Sequence, residues 1–193
     1  MNNVSLGLSG DQGSFSEEAA LLYAKKNALD PRFFYLIDME SVLAAIEKKT
    51  IDLGVFPVVN FKGGLVTPAF VAMGKHLFEP IDDLWLPVHH CLMVLPSTKA
   101  HMVSQIVSHP QGLIQCKQYL QEHFEDIPLM QWCDTAKAAK DLATGELSSL
   151  AAVIAPEGCA SLYGLEIIAK DIQDSKTNVT AFVIVKHAGV RHD

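Results

Sequence analysis

Ser108-His109-Pro110 stands just before a helical pattern, so the Ser108 hydroxyl and the backbone amides beside it can point at an anion. The same serine also reads as an ordinary N-cap. Gln115 lies about one turn into that helix and faces either a cleft or solvent. Asn60 follows a buried strand run and offers donors and an acceptor where open α/β sheets bind ligands. Its alternative reading is a turn residue leading into Gly63-Gly64. Thr180 is a β-branched residue in a strand pattern, and its hydroxyl counts chemically only if that strand lines a cleft. Lys62 is a cation close to Asn60, and most lysines are solvated. His89, His90 and His109 could add charge, although His109 precedes Pro110 and reads as structural.

These groups need a scaffold, and the composition supports one. The 193 residues are 49% hydrophobic and 19% charged, enough for a packed core and unlike a disordered chain. Net charge is −7, and Arg32 and Arg191 are the sole arginines. Nucleic-acid binding needs a basic stripe that releases counterions, so that partner class is not expected. No stretch reaches the ~20 apolar residues of a membrane span. No signal peptide is evident, and a cytoplasmic protein is expected. Cys91, Cys116, Cys133 and Cys159 are scattered and read as reduced thiols. The tight pair His89-His90 would point to opposite faces of a strand, so a metal site is not expected. Nothing calls for an organic cofactor, and a homodimer is compatible with the sequence.

The elements that must position these residues follow an α/β pattern. Val4–Leu8 reads as a strand, and Ser14 precedes Glu17 at capping-box spacing for a helix through Lys26. A strand over 33–37, a helix over 39–49 and a buried strand over 52–59 follow. The region 65–73 reads as a helix and 86–95 as one long apolar strand. The pattern then restarts, with a helix over 111–122 and a strand over 129–133. A helix over 136–144, a strand over 151–155, a helix over 157–163 and strands over 166–169 and 179–185 complete it. Two α/β lobes joined by crossing strands near 86–95 and 179–186 resemble the type II periplasmic-binding-protein architecture. Lobe one would take about 1–88 plus 180–193 and lobe two about 89–179, with a central cleft between them.

In order, the segments Gly10-Asp11-Gln12-Gly13-Ser14-Phe15, Asp52 to Asn60, Leu86 to Leu92, Ser108-His109-Pro110-Gln111, Gln115-Cys116, Thr135-Ala136, Leu162 to Leu165, Asn178 and Thr180 resemble the prephenate dehydratase catalytic domain. The resemblance covers nearly the whole chain, and the family's regulatory ACT domain is not expected. It implies a lyase of phenylalanine biosynthesis that converts prephenate to phenylpyruvate with loss of water and CO2. It also implies that the Thr180 hydroxyl is the catalytic group. Ser14, Asn60, Ser108, Gln115 and Thr135 would bind substrate, with Lys62 as the nearest compensating cation.

Three positions depart from the family's pattern. Ala181 stands where the resemblance assigns an arginine, Val59 where it assigns a glutamate, and Asp134 where a serine is usual. A non-aromatising prephenate decarboxylase and a non-catalytic small-acid-binding pseudo-enzyme are the alternative expectations.

Overall fold

Short apolar strands and capped helices alternate along the chain, and they assemble into two mixed α/β units. The computed structural model describes residues 2–189. One unit takes the chain up to Asp11, then Phe15–Leu86, and again from Val179 onward; the other takes Gln12–Ser14 and Pro87–Asn178. The architecture is type II periplasmic-binding-protein-like. Among the described residues no helix is long and apolar enough to cross a membrane.

The first unit holds strands β1 (Asn2–Leu8), β2 (Leu29–Tyr35), β3 (Leu53–Asn60), β4 (Gly64–Leu65), β5 (Phe78–Pro87) and the final strand β11 (Val179–His187). Their order is β2-β1-β3-β11-β5, with β4 paired to β3. β1 runs parallel to β2 and β3, whereas β11 is antiparallel to β3. Helix α1 (Phe15–Lys26) lays Ala19, Ala20 and Tyr23 against Leu6, Leu8, Val55, Phe182 and Ile184 on one face. Helix α2 (Met39–Glu47), capped by Asp38 accepting from Ser41 N at 2.7 Å, lays Val42, Leu43 and Ile46 against Phe56 and Val185 on the other. A third helix, α3 (Thr67–Met73), packs beside α2. With both faces covered, the interior strands carry unbroken apolar runs, residues 55–59 on β3 and 181–185 on β11.

β2 begins earlier than the sequence pattern predicts because Pro31 does not disrupt it. Pro31 pairs with Val4 in an edge strand, where a missing N–H can be tolerated. The long strand expected over 86–95 is two strands in two sheets. β5 ends at Pro87, and β6 (Cys91–Val94) starts after Val88-His89-His90. β5 also escapes the pattern because it is an edge strand carrying Glu79, Pro80, Asp82 and Asp83 on a largely exposed surface.

The second unit holds β6, β7 (Gln105–Ser108), β8 (Leu129–Gln131), β9 (Ala151–Ala155) and β10 (Glu166–Ala169) in the order β10-β6-β9-β7-β8. All five residues of β9 are fully buried. Helix α6 (Thr135–Thr144) covers one face through Ala136, Ala138, Ala139 and Leu142. The other face is covered by α4 (Pro110–Gln115) and α5 (Lys117–His123), through Leu113 and Leu120 with Cys116 between them. The single helix expected over 111–122 breaks at Cys116 (φ −112°, ψ 17°). Asp174 bridges the break: its amide donates to the Gln115 carbonyl at 2.7 Å, and its carboxylate accepts from Gln118 N at 2.9 Å. That carboxylate supplies the acceptor that α5 lacks at its own start. Helix α7 (Gly158–Tyr163) completes the unit.

Close packing in the first unit leaves no room for a side chain at Gly54. A Cβ there would lie 2.6 Å from Val42 Cγ1 and 3.0 Å from Val185 Cγ2. Gly54→Ala is expected to cost about 1–3 kcal/mol through overpacking. A urea midpoint unchanged from wild type would contradict this packing.

Candidate functional site

In the first unit the register of β3 and β11 brings Asn60 and Thr180 together. They are directly opposed, as are Val59 and Ala181; the register then shifts so that Phe182 faces Pro57. The shift leaves Val58 as an extra residue on β3, a bulge that accommodates Pro57 within an interior strand. Opposed residues share a face, and Asn60 Nδ2 donates to Thr180 Oγ1 at 2.9 Å. Both residues are buried.

The Asn60 amide cannot be flipped without loss. Its Oδ1 accepts from the backbone amides of Lys62 (3.0 Å) and Gly63 (2.7 Å), so the nitrogen is the atom that faces Thr180. Asn60 is therefore both a turn residue, as one sequence reading held, and the partner of Thr180. Because Thr180 Oγ1 accepts this bond, its own proton is directed elsewhere. The Lys62 side chain is exposed and makes no ion pair among the described residues. The opposed pair Val59 and Ala181 is apolar, with Ala181 4% exposed.

In the second unit Ser108 ends β7 fully buried, and its hydroxyl donates to the Ile154 carbonyl at 2.7 Å. It is not the N-cap. His109 takes that place, its Nδ1 accepting from Gln111 N at 3.2 Å. Gly112 closes the first turn of α4 over Ser108: a Cβ there would be 2.8 Å from Ser108 Oγ and 3.5 Å from Thr135 Cγ2. Thr135 is buried at the first position of α6. Asp134 caps this helix by accepting from Lys137 N at 2.8 Å, the capping role its position before Thr135 allowed. Farther along α6, Asp141 is buried against Lys137 Nζ and Trp132 Nε1, each at 2.9 Å.

Gln115 lies at the end of α4. Its Oε1 meets Asn178 Nδ2 at 2.8 Å and His90 Nε2 at 2.8 Å. Neither partner is near it in sequence, so no spacing rule could have found the cluster. His90 was considered in the sequence as a source of charge and, with His89, as a rejected metal pair, but not as a partner of Gln115. Gln173 joins the group by accepting from His90 N at 2.9 Å. Ser14 is buried in the Gln12–Ser14 segment of this unit. Beside it, Gly13 takes φ +87°, and a Cβ there would lie 2.9 Å from Cys159 Sγ, so both backbone and space favour glycine. The Tyr163 hydroxyl donates to the Gln12 carbonyl at 2.6 Å.

Of the three histidines that could add charge, His90 and His109 are held towards the neutral form. Burial pushes the His90 imidazole down to about 4, against the opposing effect of its bond to Gln115, so it is neutral at pH 7. Burial also lowers His109. His89 is exposed and bonds Asp171 through Nδ1 at 2.6 Å. The four cysteines are free thiols, three of them buried, and burial raises Cys91 and Cys116.

The His90 shift has a signed consequence for stability. Its folded value lies below the unfolded one, so the unfolded chain binds the proton first on acidification. The contribution is complete above about pH 6.5 and is lost as pH falls towards 4, on the order of 3 kcal/mol in all. Urea titrations between pH 7 and 4.5 should show a flatter pH dependence for His90→Gln than for wild type. Equal slopes would contradict a buried neutral His90.

A family model for prephenate dehydratase matches residues 6–189. The chain is 35% identical over 185 residues to arogenate dehydratase/prephenate dehydratase 6, chloroplastic, of Arabidopsis thaliana, covering 95% of this chain and 43% of that protein. It is 30% identical over 176 residues to the bifunctional chorismate mutase/prephenate dehydratase of Stutzerimonas stutzeri, covering 91% of this chain and 47% of that one. The chain thus spans less than half the length of these curated relatives. Among solved structures, the prephenate dehydratase of Arthrobacter aurescens in complex with L-Phe shares the fold, with TM-score 0.83 at 23% identity over 97% of this chain and 61% of that one. The family match across nearly all of the described residues, together with this fold, shows that the chain belongs to the prephenate dehydratase family.

Proposed function

We propose that the chain is a carbon–oxygen lyase of aromatic amino-acid biosynthesis that converts prephenate to phenylpyruvate, water and CO2 in the cytoplasm. The observation that carries this reading is the Asn60 amide donating to Thr180 Oγ1. It leaves the threonine proton to be given to the departing ring hydroxyl. As the ring C–O bond breaks, that hydroxyl leaves as water. The bond to the ring carboxylate breaks to release CO2, its electron pair completes the aromatic ring, and solvent returns a proton to Thr180.

A threonine is a weak acid, so its contribution comes from fixed position and from aromatisation as driving force. On this reading Gln115 contacts a substrate oxygen, and Thr135 at the start of the ten-residue α6 binds carboxylate through backbone amides. Ser108 acts through its main chain, since its hydroxyl is held by Ile154, and Ser14 contributes from its buried loop. Lys62 supplies cationic charge from beside Asn60. Some relatives are named arogenate dehydratases, so arogenate, which carries an amino group in place of the keto group, is the second acid to test.

Incubating the protein with each acid and following products by NMR tests the reading. Phenylpyruvate from prephenate, or phenylalanine from arogenate, together with CO2 is expected. Thr180→Val should lower kcat by roughly 10²–10⁴-fold while leaving the fold intact, and Thr180→Ser should keep most activity. Near-normal turnover by Thr180→Val would remove Thr180 from the acid role.

The opposition of Val59 and Ala181 favours one second reading, a decarboxylase that keeps the dihydro ring. The resemblance places a glutamate and an arginine at these facing positions, and both charges are absent. A product retaining the ring hydroxyl would identify that reaction. Because the pair is opposed across the ladder, Ala181→Arg alone should destabilise by burying an unpaired cation. Adding Val59→Glu should recover part of the loss. Additive effects of the two substitutions on the urea midpoint would show that the positions act independently.

A further inference from the structure

Gln115 Oε1 can only accept, so both groups that meet it must donate. Asn178 offers Nδ2–H, and His90 must therefore carry its proton on Nε2. The His90 backbone is held as firmly as its ring: His90 N donates to Gln173 Oε1 at 2.9 Å, and His90 O accepts from Ile172 N at 3.0 Å. The next residue but one, Asp174, takes the Gln115 carbonyl. One short segment, 172–174, thus fixes the main chain of both His90 and Gln115. With its oxygen engaged twice, Gln115 keeps the two N–H donors of Nε2, which meet no acceptor among the described residues.

We infer that His90 is a positioning residue: as a neutral Nε2–H imidazole it locks Gln115 into a donor-only arm for a substrate oxygen. The inference rests on the proposed reaction for its substrate. The same arm would reject a ligand that presents a donor at this point, because two donors would then face each other with no acceptor.

The test combines kinetics with a measurement that needs no turnover. His90→Leu removes the donor and keeps an apolar side chain of moderate size. It should raise KM for the acid that is turned over by roughly 10- to 100-fold with little change in kcat, the pattern of lost uniform binding. His90→Gln, which returns an N–H near the Nε2 position, should recover most of that loss. A KM unchanged in His90→Leu, or no recovery in a folded His90→Gln, would overturn the assignment. Nitrogen-15 NMR of histidine-labelled wild-type protein at pH 7 should show a protonated Nε2 and an unprotonated Nδ1 for His90. A proton on Nδ1 instead would overturn it even in a protein that turns over neither acid, and that lack of turnover would by itself refute only the proposed reaction.

Discussion

Antiparallel pairing between β3 and β11 sets the geometry on which the candidate chemistry rests. Opposed residues in such a ladder share a face, so an amide placed opposite a hydroxyl becomes its hydrogen-bond donor without further machinery. The same strands bury Val55, Phe56, Phe182, Ile184 and Val185 beneath helices on both faces. A slip of one residue would exchange the two faces of a strand and disrupt the close packing against the helices on both sides. Core packing therefore holds the Asn60–Thr180 register far more strongly than their single bond could. The bulge at Val58 is part of that device, since it lets Pro57 remain in an interior strand while the pairing resumes at Val59 and continues to Asn60.

The second unit solves a related problem by different means. Its Gln115 sits where a helix breaks, a place that would leave backbone groups unsatisfied and the side chain loosely held. Asp174 satisfies the break, and His90 with Asn178 holds the amide oxygen. Burial keeps His90 neutral, which suits a role as a directional donor better than one as a source of charge. Tight contacts of Gly112 with Ser108, and of Gly13 with Cys159, show why small residues occupy these turns.

What the sequence revealed and what it hid divide along a physical line. β9 and β10 were placed residue for residue, since a continuous apolar run and its bounding turns are local signals. The start of α6 was legible for the same reason, and Asp134 just before it provides the cap. β5 was missed because an edge strand shows solvent an acidic, proline-containing face that imitates a loop. The break at Cys116 was missed because its stabilising partner, Asp174, lies far along the chain. Resemblance pointed to Thr180, Asn60 and Gln115, yet the ladder register and the His90–Gln115–Asn178 cluster depend on contacts between residues that no local pattern connects. The apolar pair Val59–Ala181 joins two departures that looked separate in the sequence.

The central claim is that Asn60 acts through Thr180, by fixing the hydroxyl that protonates the leaving group. A double-mutant cycle on kcat/KM with Asn60→Ala and Thr180→Val tests it most directly. If Asn60 works through Thr180, the double variant should be no worse than the more damaging single variant, because removing the hydroxyl leaves Asn60 nothing to orient. Losses that multiply across the two substitutions would contradict the account and make Asn60 and Thr180 independent contributors.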